Sequence, residues 1–242
     1  MFLPGISVHD LLLAFLVVTI GAFGNGLAGF GLALLIGPFL LLIDPAFYPG
    51  PIVLLVGLMT AMILFRERNA INRTYVKQSI PGFVIGTGLA ALLVAHLPHR
   101  ETAILFGGLI FLGVALSMLG IRITPNRKIL FAAGTMGGFM GTLSGVCVPP
   151  LAIALQNSPG PELRGTLSAV GLISVAMSLI ALASVGKLGL LQLQLALALA
   201  PAAVLGYVLS FKLSPYFDKR CTRPAVFLLS SISAAAMLME YL

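Results

Sequence analysis

Two stretches of this chain place glycines beside small, neutral polar side chains in the middle of long apolar runs. Glycine lets a ligand approach the backbone closely, and a helix that begins there presents unpaired N–H groups with a partial positive charge. Hydroxyl groups can donate further hydrogen bonds. Together these groups suit an oxyanion. The candidate contacts are Asn25, Gly26, Gly29 and Gly31 in the first stretch, and Thr142, Ser144, Gly145 and Cys147 in the second.

Two further hydroxyl groups, those of Thr166 and Ser168, open the next apolar segment and are candidates for the wall of the same site. Gln156 and Asn157 lie shortly before them in the sequence. A hydroxyl within a helix usually bonds to a carbonyl of the preceding turn, and small residues also allow membrane helices to pack closely. These two structural alternatives stay open beside the binding interpretation.

The two candidate stretches are copies of one pattern. Residues 21–29 read Gly-x-Phe-x-x-x-Leu-Ala-Gly, and residues 137–145 read Gly-x-Phe-x-x-x-Leu-Ser-Gly. The repeated motifs occur in the same order in both halves, at an offset of about 114 to 120 residues. Such an internal repeat is typical of a duplicated membrane transporter. We therefore predict two units, residues 1–123 and 124–242. Further matches are Val-Gly-Leu at 56–58 and 170–172, and Pro-x-x-x-x-Gly at 81–86 and 201–206.

The composition indicates that this chain is solvated by lipid. The hydrophobic fraction is 59% and the charged fraction 9%, whereas soluble domains are about a quarter charged. A chain this apolar needs a bilayer to cover its surface, so we expect the lipid bilayer as a partner. The net charge of +7 then marks cytoplasmic loops and anionic headgroups, and we expect no nucleic-acid partner.

Apolar runs long enough to cross a bilayer, about 17 to 25 residues each, divide the chain. The first run in each half is too long for one helix and is interrupted near its middle by glycine or proline, which weaken a helix. Non-helical backbone is tolerated within a bilayer only where protein or a water-filled cavity provides hydrogen-bond partners for its N–H and C=O groups. We expect each to be a helical hairpin or a broken helix with its tip near mid-membrane. The runs are about 8–43, 50–65, 76–96, 102–121, 129–157, 165–185, 189–213 and 224–241.

The basic residues decide how the two halves are oriented. If each broken run is a hairpin or two short crossings, all of the 14 basic residues except Arg100 and Lys187 share one side. A single crossing would split them almost evenly. Because positive charge collects in the cytoplasm, the sequence predicts an all-α polytopic membrane protein with two inverted-topology repeats. Each repeat is a glycine-broken helical hairpin followed by three transmembrane helices, with basic loops cytoplasmic and both termini outside.

Charged groups are missing from the middle of every apolar run. Intramembrane carboxylates usually carry coupling protons in pumps, and this chain offers none there. It also lacks a mid-membrane Ser/His/Asp or His/Glu arrangement for hydrolysis. Cys147 and Cys221 lie far apart and in no metal or redox spacing. We therefore expect a protein that is not an enzyme and that needs no cofactor or metal.

Four short segments resemble motifs of the sulfite exporter TauE/SafE family of bacterial membrane proteins. Residues 29–31 (Gly-Phe-Gly) match the opening of its glycine motif, and residues 145–150 (Gly-Val-Cys-Val-Pro-Pro) lie where Gly-Val-Gly-Gly-Gly-Pro is usual. Residues 65–72 (Phe-Arg-Glu-Arg-Asn-Ala-Ile-Asn) look like its aromatic-basic loop. Residues 164–168 (Arg-Gly-Thr-Leu-Ser) are similar to its Arg-Ala-Thr-Ser stretch. The resemblance implies export of sulfite, or of a small organosulfonate such as sulfoacetate, across the inner membrane.

The interpretation that unites these observations is a secondary transporter that carries a small anionic substrate through a midplane site formed by both hairpin tips. Alternating access would come from the hairpin pair rocking against the remaining helices. Two alternatives stay open. A membrane thiol-redox carrier would need two reactive cysteines, but the repeat counterpart of Cys147 is Gly31. A passive anion channel is the other alternative. The exact substrate, the coupling ion and the oligomeric state are left open by the sequence.

Overall fold

The computed structural model describes residues 6–28, 32–97, 99–118 and 124–213. Within these ranges the regular structure is helical, and the prediction of an all-α polytopic membrane protein is confirmed. The last predicted segment, 224–241, lies outside the described residues. The helices are α1 (Val8–Ala28), α2 (Leu32–Ile43), α3 (Gly50–Glu67), α4 (Arg73–His96), α5 (His99–Met118), α6 (Arg127–Ser144), α7 (Val148–Leu155), α8 (Gly160–Ser184) and α9 (Leu190–Leu213), with 3₁₀ turns at Pro45–Phe47 and Arg68–Ala70.

Several of these helices are long and apolar enough to cross a membrane. Their lipid-facing sides carry large exposed apolar side chains such as Leu16 on α1 and Leu92 on α4. Such surfaces are stable only against hydrocarbon. Among the described residues the candidate spans are Val8–Gly26, Gly50–Ala70, Arg73–His96, Gly160–Ser184 and Leu190–Ser210.

Each long first run forms two helices that contact one another, as the sequence predicts. Helices α1 and α2 flank residues 29–31, and helices α6 and α7 flank residues 145–147. Helix α6 ends because Gly145 adopts a left-handed conformation, with φ of 70°, and its N–H donates to the Gly141 carbonyl at 2.9 Å. This conformation is unfavourable for residues with a β-carbon. Pro149 and Pro150 then lie in the first turn of helix α7, where proline is tolerated.

Helix α4 packs closely along helix α6 through its glycines. A β-carbon at Gly82 would collide with the backbone of Phe131, and one at Gly86 with the backbone of Thr135 and Phe139. The numbers of the contacting residues rise together, so the two helices run parallel. Only glycine permits backbones to come this close.

Helix α9 packs along helix α1 in the same way. A β-carbon at Gly206 would collide with the backbone of Thr19 and Phe23, and Gly26 lies against Ser210. Here too the residue numbers rise together, so α1 and α9 are parallel. The glycine of each Pro-x-x-x-x-Gly motif therefore makes the same contact on the corresponding helix of the other half.

The centre of the molecule is the crossing of helices α3 and α8, which run antiparallel. Gly165 lies against the Glu67 carbonyl near one end of α3, and Gly57 lies against Val175 further along. The hydrophobic core surrounds this crossing and includes the fully buried Phe47. The α3–α8 pair is thus one of three helix pairs that join the two halves, beside α4–α6 and α1–α9.

Candidate substrate site

The tip of the second broken segment lies against the first broken segment. A β-carbon on Gly145 would come within 3.0 Å of the Ala33 side chain at the start of α2, and 3.2 Å of Ile52 on α3. Gly145, Val146 and Cys147 are all buried. The second break is therefore an interior feature, in contact with both halves of the chain.

The hydroxyl groups predicted at the end of α6 are engaged in hydrogen bonds. Thr142 Oγ1 donates to the Gly138 carbonyl at 2.9 Å and lies 2.8 Å from Ser178 Oγ. Ser144 Oγ donates to the Met140 carbonyl at 2.7 Å. In this conformation both side chains bond to the preceding turn of their own helix, which is the structural alternative raised from the sequence. The two hydroxyl oxygens can still accept hydrogen bonds, but the hydroxyl protons are already donated to these carbonyls.

Cys147 fills the space between helices α6 and α8. It precedes α7 without a side-chain cap hydrogen bond. A β-carbon at Gly141 would lie 2.9 Å from the Cys147 β-carbon, and one at Gly171 would lie 3.8 Å from its sulfur. The two glycines therefore make room for the thiol. Every side chain named at this break is uncharged, so any charge bound here is met by dipoles alone.

The start of α7 offers fewer donors than an ordinary helix N-terminus. A regular helix begins with about four unpaired N–H groups. The glycine break in the sequence predicts such a set of N–H groups at the start of α7. Pro149 and Pro150 occupy the second and third positions of α7 and have no N–H. The backbone part of the site is therefore reduced to the amides just before and at Val148.

The residues predicted at the first break lie in a different environment. Asn25 is buried, and Gly26 packs against Ser210 and Tyr207 of α9. Gly29 and Gly31 lie outside the described residues. The described part of the first break thus faces helix α9, whereas the second break faces helices α3 and α8.

Thr166 ties helix α8 to the basic loop that follows α3. Its Oγ1 accepts the Asn72 backbone N–H at 3.0 Å, and Asn72 Nδ2 donates to Glu162 at 2.9 Å. Arg164 Nε lies 3.1 Å from Glu67 Oε1. We call these contacts the basic-end clasp; they join the two motif segments 65–72 and 164–168. Ser168 is buried on the same helix.

The sequence analysis did not single out Ser174 on helix α8. Its side chain is 1% exposed, and its Oγ lies 3.1 Å from the position that a Gly141 β-carbon would take. It makes no hydrogen bond of ordinary geometry with the described residues; the Cys147 thiol beside it is only a weak partner. The spacing of Gly171, Ser174 and Ser178 places all three on one helix face, and this pattern was the available signal.

Comparison with known proteins gives one family. No curated protein and no solved structure matches the chain. The model of the family described as sulfite exporter TauE/SafE matches residues 13–237, which is nearly the whole length. The match includes both broken segments, the α3–α8 crossing and the basic loop. The chain therefore belongs to the sulfite exporter TauE/SafE family, a family of membrane transporters.

Proposed function

We propose that this protein is a secondary transporter that exports a small oxyanion, either sulfite or a two-carbon sulfonate such as sulfoacetate, across the inner membrane by alternating access. The observation that carries the proposal is the second break, a buried and uncharged interruption of a membrane segment that contacts the other broken segment through Gly145 and Ala33. Interrupted helices of this kind form the substrate sites of transporters with repeated halves.

Helix directions support an inverted relation between the units 1–123 and 124–242. Helices α3 and α8 occupy corresponding positions in the two units, and they run antiparallel. Helix α1 is parallel to α9, and α4 is parallel to α6. If each broken run were a single crossing, α3 and α8 would run in the same direction. The proposal therefore keeps the basic loops in the cytoplasm and both termini outside, in agreement with the placement of positive charge.

The uncharged lining supports an anion that is held and then released. A fixed cation would bind an anion strongly in a low-dielectric interior, which slows its release. Hydroxyl, thiol and backbone N–H groups stabilise a negative charge less strongly and keep the empty site neutral. A doubly charged anion would lose more hydration without compensation. Of the two proposed substrates, the site therefore favours sulfite in its singly charged form, hydrogen sulfite, over sulfoacetate, which carries two charges at neutral pH.

The two ends of the α3–α8 crossing differ, and this difference supports alternating access. At one end the basic-end clasp joins the halves by the Arg164–Glu67 ion pair and the Asn72–Thr166 hydrogen bond. At the other end Gly50 packs against Leu188 and the carbons of Gln192, and no ion pair links the halves there among the described residues. We propose that this conformation is closed on the cytoplasmic side and that the clasp opens when substrate enters.

The proposal is tested by transport into proteoliposomes that contain the purified protein. Uptake of sulfite, sulfoacetate, sulfate and chloride is measured with and without an imposed pH gradient. We expect saturable flux and counterflow for sulfite or sulfoacetate. Flux that does not saturate would indicate a channel, and the absence of flux for all four anions would reject the proposal.

A further inference from the structure

We propose that the Ser174 hydroxyl is a substrate-binding donor at the second break and that it bonds to an oxygen of a singly charged oxyanion. This inference rests on the proposed function and assigns a residue on α8 that neither the repeat pattern nor the family motif segments include.

Ser174 differs from buried hydroxyl groups of the described helices that have a regular hydrogen bond, among them Thr166 and Ser178, which bond to Asn72 and Thr142. Ser79, Thr142, Ser144 and Ser210 each donate to a carbonyl three or four residues earlier in their own helix. Ser174 is just as buried but donates to no carbonyl. A buried hydroxyl without a partner is costly, and such a group in a native protein calls for an explanation.

The position of Ser174 gives that explanation. Its Oγ and the Cys147 β-carbon both lie about 3 Å from the point that a Gly141 β-carbon would occupy. The hydroxyl therefore lies beside Cys147, in the turn that precedes α7. Thr87 also lacks a partner, but it lies on α4 against Gly138. Among the described residues, Ser174 alone combines a hydroxyl that has no hydrogen bond of ordinary geometry, and only the weak Cys147 thiol beside it, with this helix start.

The proline pair explains why a side-chain donor is needed. Pro149 and Pro150 remove two of the N–H groups that a helix start would otherwise offer to an anion. The Ser174 hydroxyl replaces part of that loss from the neighbouring helix. The resulting donor set is small and neutral, comprising one hydroxyl, one weak thiol and a few amides. It suits a sulfonyl-type monoanion, and it disfavours a dianion such as sulfate.

The test compares Ser174→Ala with Ser178→Ala. Both serines lie on α8 and are 1% exposed, but Ser178 shares a 2.8 Å hydrogen bond with Thr142. We expect Ser174→Ala to raise the KM for sulfite roughly tenfold and to abolish the increase in Tm that sulfite causes, while the Tm without sulfite stays the same or rises. We expect Ser178→Ala to lower that Tm by about 2–4 °C with little change in KM.

Three outcomes would overturn the inference while the proposed function stands. The KM of Ser174→Ala could equal that of the wild type, its Tm could fall without a change in KM, or sulfite could still raise its Tm. If the wild type shows no saturable flux, the proposed function fails and the Tm measurement decides the inference alone. A sulfite-dependent increase that Ser174→Ala loses would then support it, and no increase in the wild type would reject it.

Discussion

The two breaks descend from one sequence pattern but have different surroundings. The described part of the first break, with Asn25 and Gly26, packs on helix α9 beside Ser210. The second break has a left-handed Gly145, a buried thiol at Cys147 and a proline pair, and it faces the central crossing. The two breaks therefore share a sequence pattern but not their neighbours, and the proposed binding role falls on the second break alone.

The feature that the two halves share is a glycine contact between helices. Gly86 and Gly206 occupy the same place in their motifs, and each allows its helix to touch backbone on the other half. A glycine that only packs is expected to be equivalent in the two halves. A glycine or cysteine that binds substrate is expected to differ between the two halves. The following variants separate these two kinds of residue.

The largest effect is expected for Gly86→Ala and Gly206→Ala. Each new β-carbon would meet backbone carbonyl oxygen, which cannot move without displacing a helix. We expect both variants to lose about 1–3 kcal/mol or more of stability, by similar amounts, as measured by thermal unfolding in detergent.

The matched control for these variants is Gly88→Ala. Gly88 lies two residues after Gly86 on the same helix and has no atom near its β-carbon position. Because alanine is the better helix former, this change should be neutral or stabilise by up to about 1 kcal/mol. If Gly86→Ala were as stable as Gly88→Ala, the shared packing of the two halves would be wrong.

A smaller effect is expected for Gly145→Ala, which tests the second break. The left-handed conformation alone costs a residue with a β-carbon about 1–2 kcal/mol, and the new methyl group would press on Ala33. Gly186→Ala is the control, since Gly186 has the same φ of 70° but open space around it. We expect the same backbone strain in both variants, with the added contact on Ala33 and a loss of transport only in Gly145→Ala. If both variants transported equally well, Gly145 would not be part of the substrate site.

Replacement of Cys147 is expected to change selectivity more than stability. Cys147→Gly empties the space between Gly141 and Gly171 and restores a more open backbone. We expect the ratio of kcat/KM for sulfoacetate over sulfite to rise several-fold, because the larger anion gains room. Cys147→Ser keeps the volume and should leave that ratio nearly unchanged. A complete loss of function in Cys147→Ser would instead favour the thiol-redox carrier.

The smallest effect concerns the basic-end clasp. Arg164 is half-exposed, and such ion pairs contribute about 0.2–1 kcal/mol. We expect Glu67→Gln to change the maximal transport rate by no more than about fivefold, and the double variant Glu67→Arg with Arg164→Glu to recover most of it. Arg68→Gln is the control, since Arg68 stacks on Phe65 outside the clasp. An equal effect of all three variants would argue against a gate at this end.

Much of the fold was predictable because apolar length and helix-breaking residues act locally. The apolar runs give the helices, and the glycine-rich motifs lie between α1 and α2 and between α6 and α7. The binding chemistry was less predictable because it depends on which partner a hydroxyl finds. Thr142, Ser144 and Ser174 look alike in sequence, but the first two bond to their own helix and Ser174 does not. Thr166 was expected at the site wall, and its hydroxyl is engaged by the Asn72 backbone.

The claim that the second break binds substrate is tested most directly by hydrogen–deuterium exchange of the purified protein with and without sulfite. The account predicts that sulfite slows exchange of the amides in residues 145–151, with half of the maximal effect at the KM for transport. The corresponding peptide at residues 29–35 should be protected less, and Ser174→Ala should lose the protection at the second break. Protection confined to the basic loop 66–73, or unchanged exchange at 145–151 under saturating sulfite, would contradict the account.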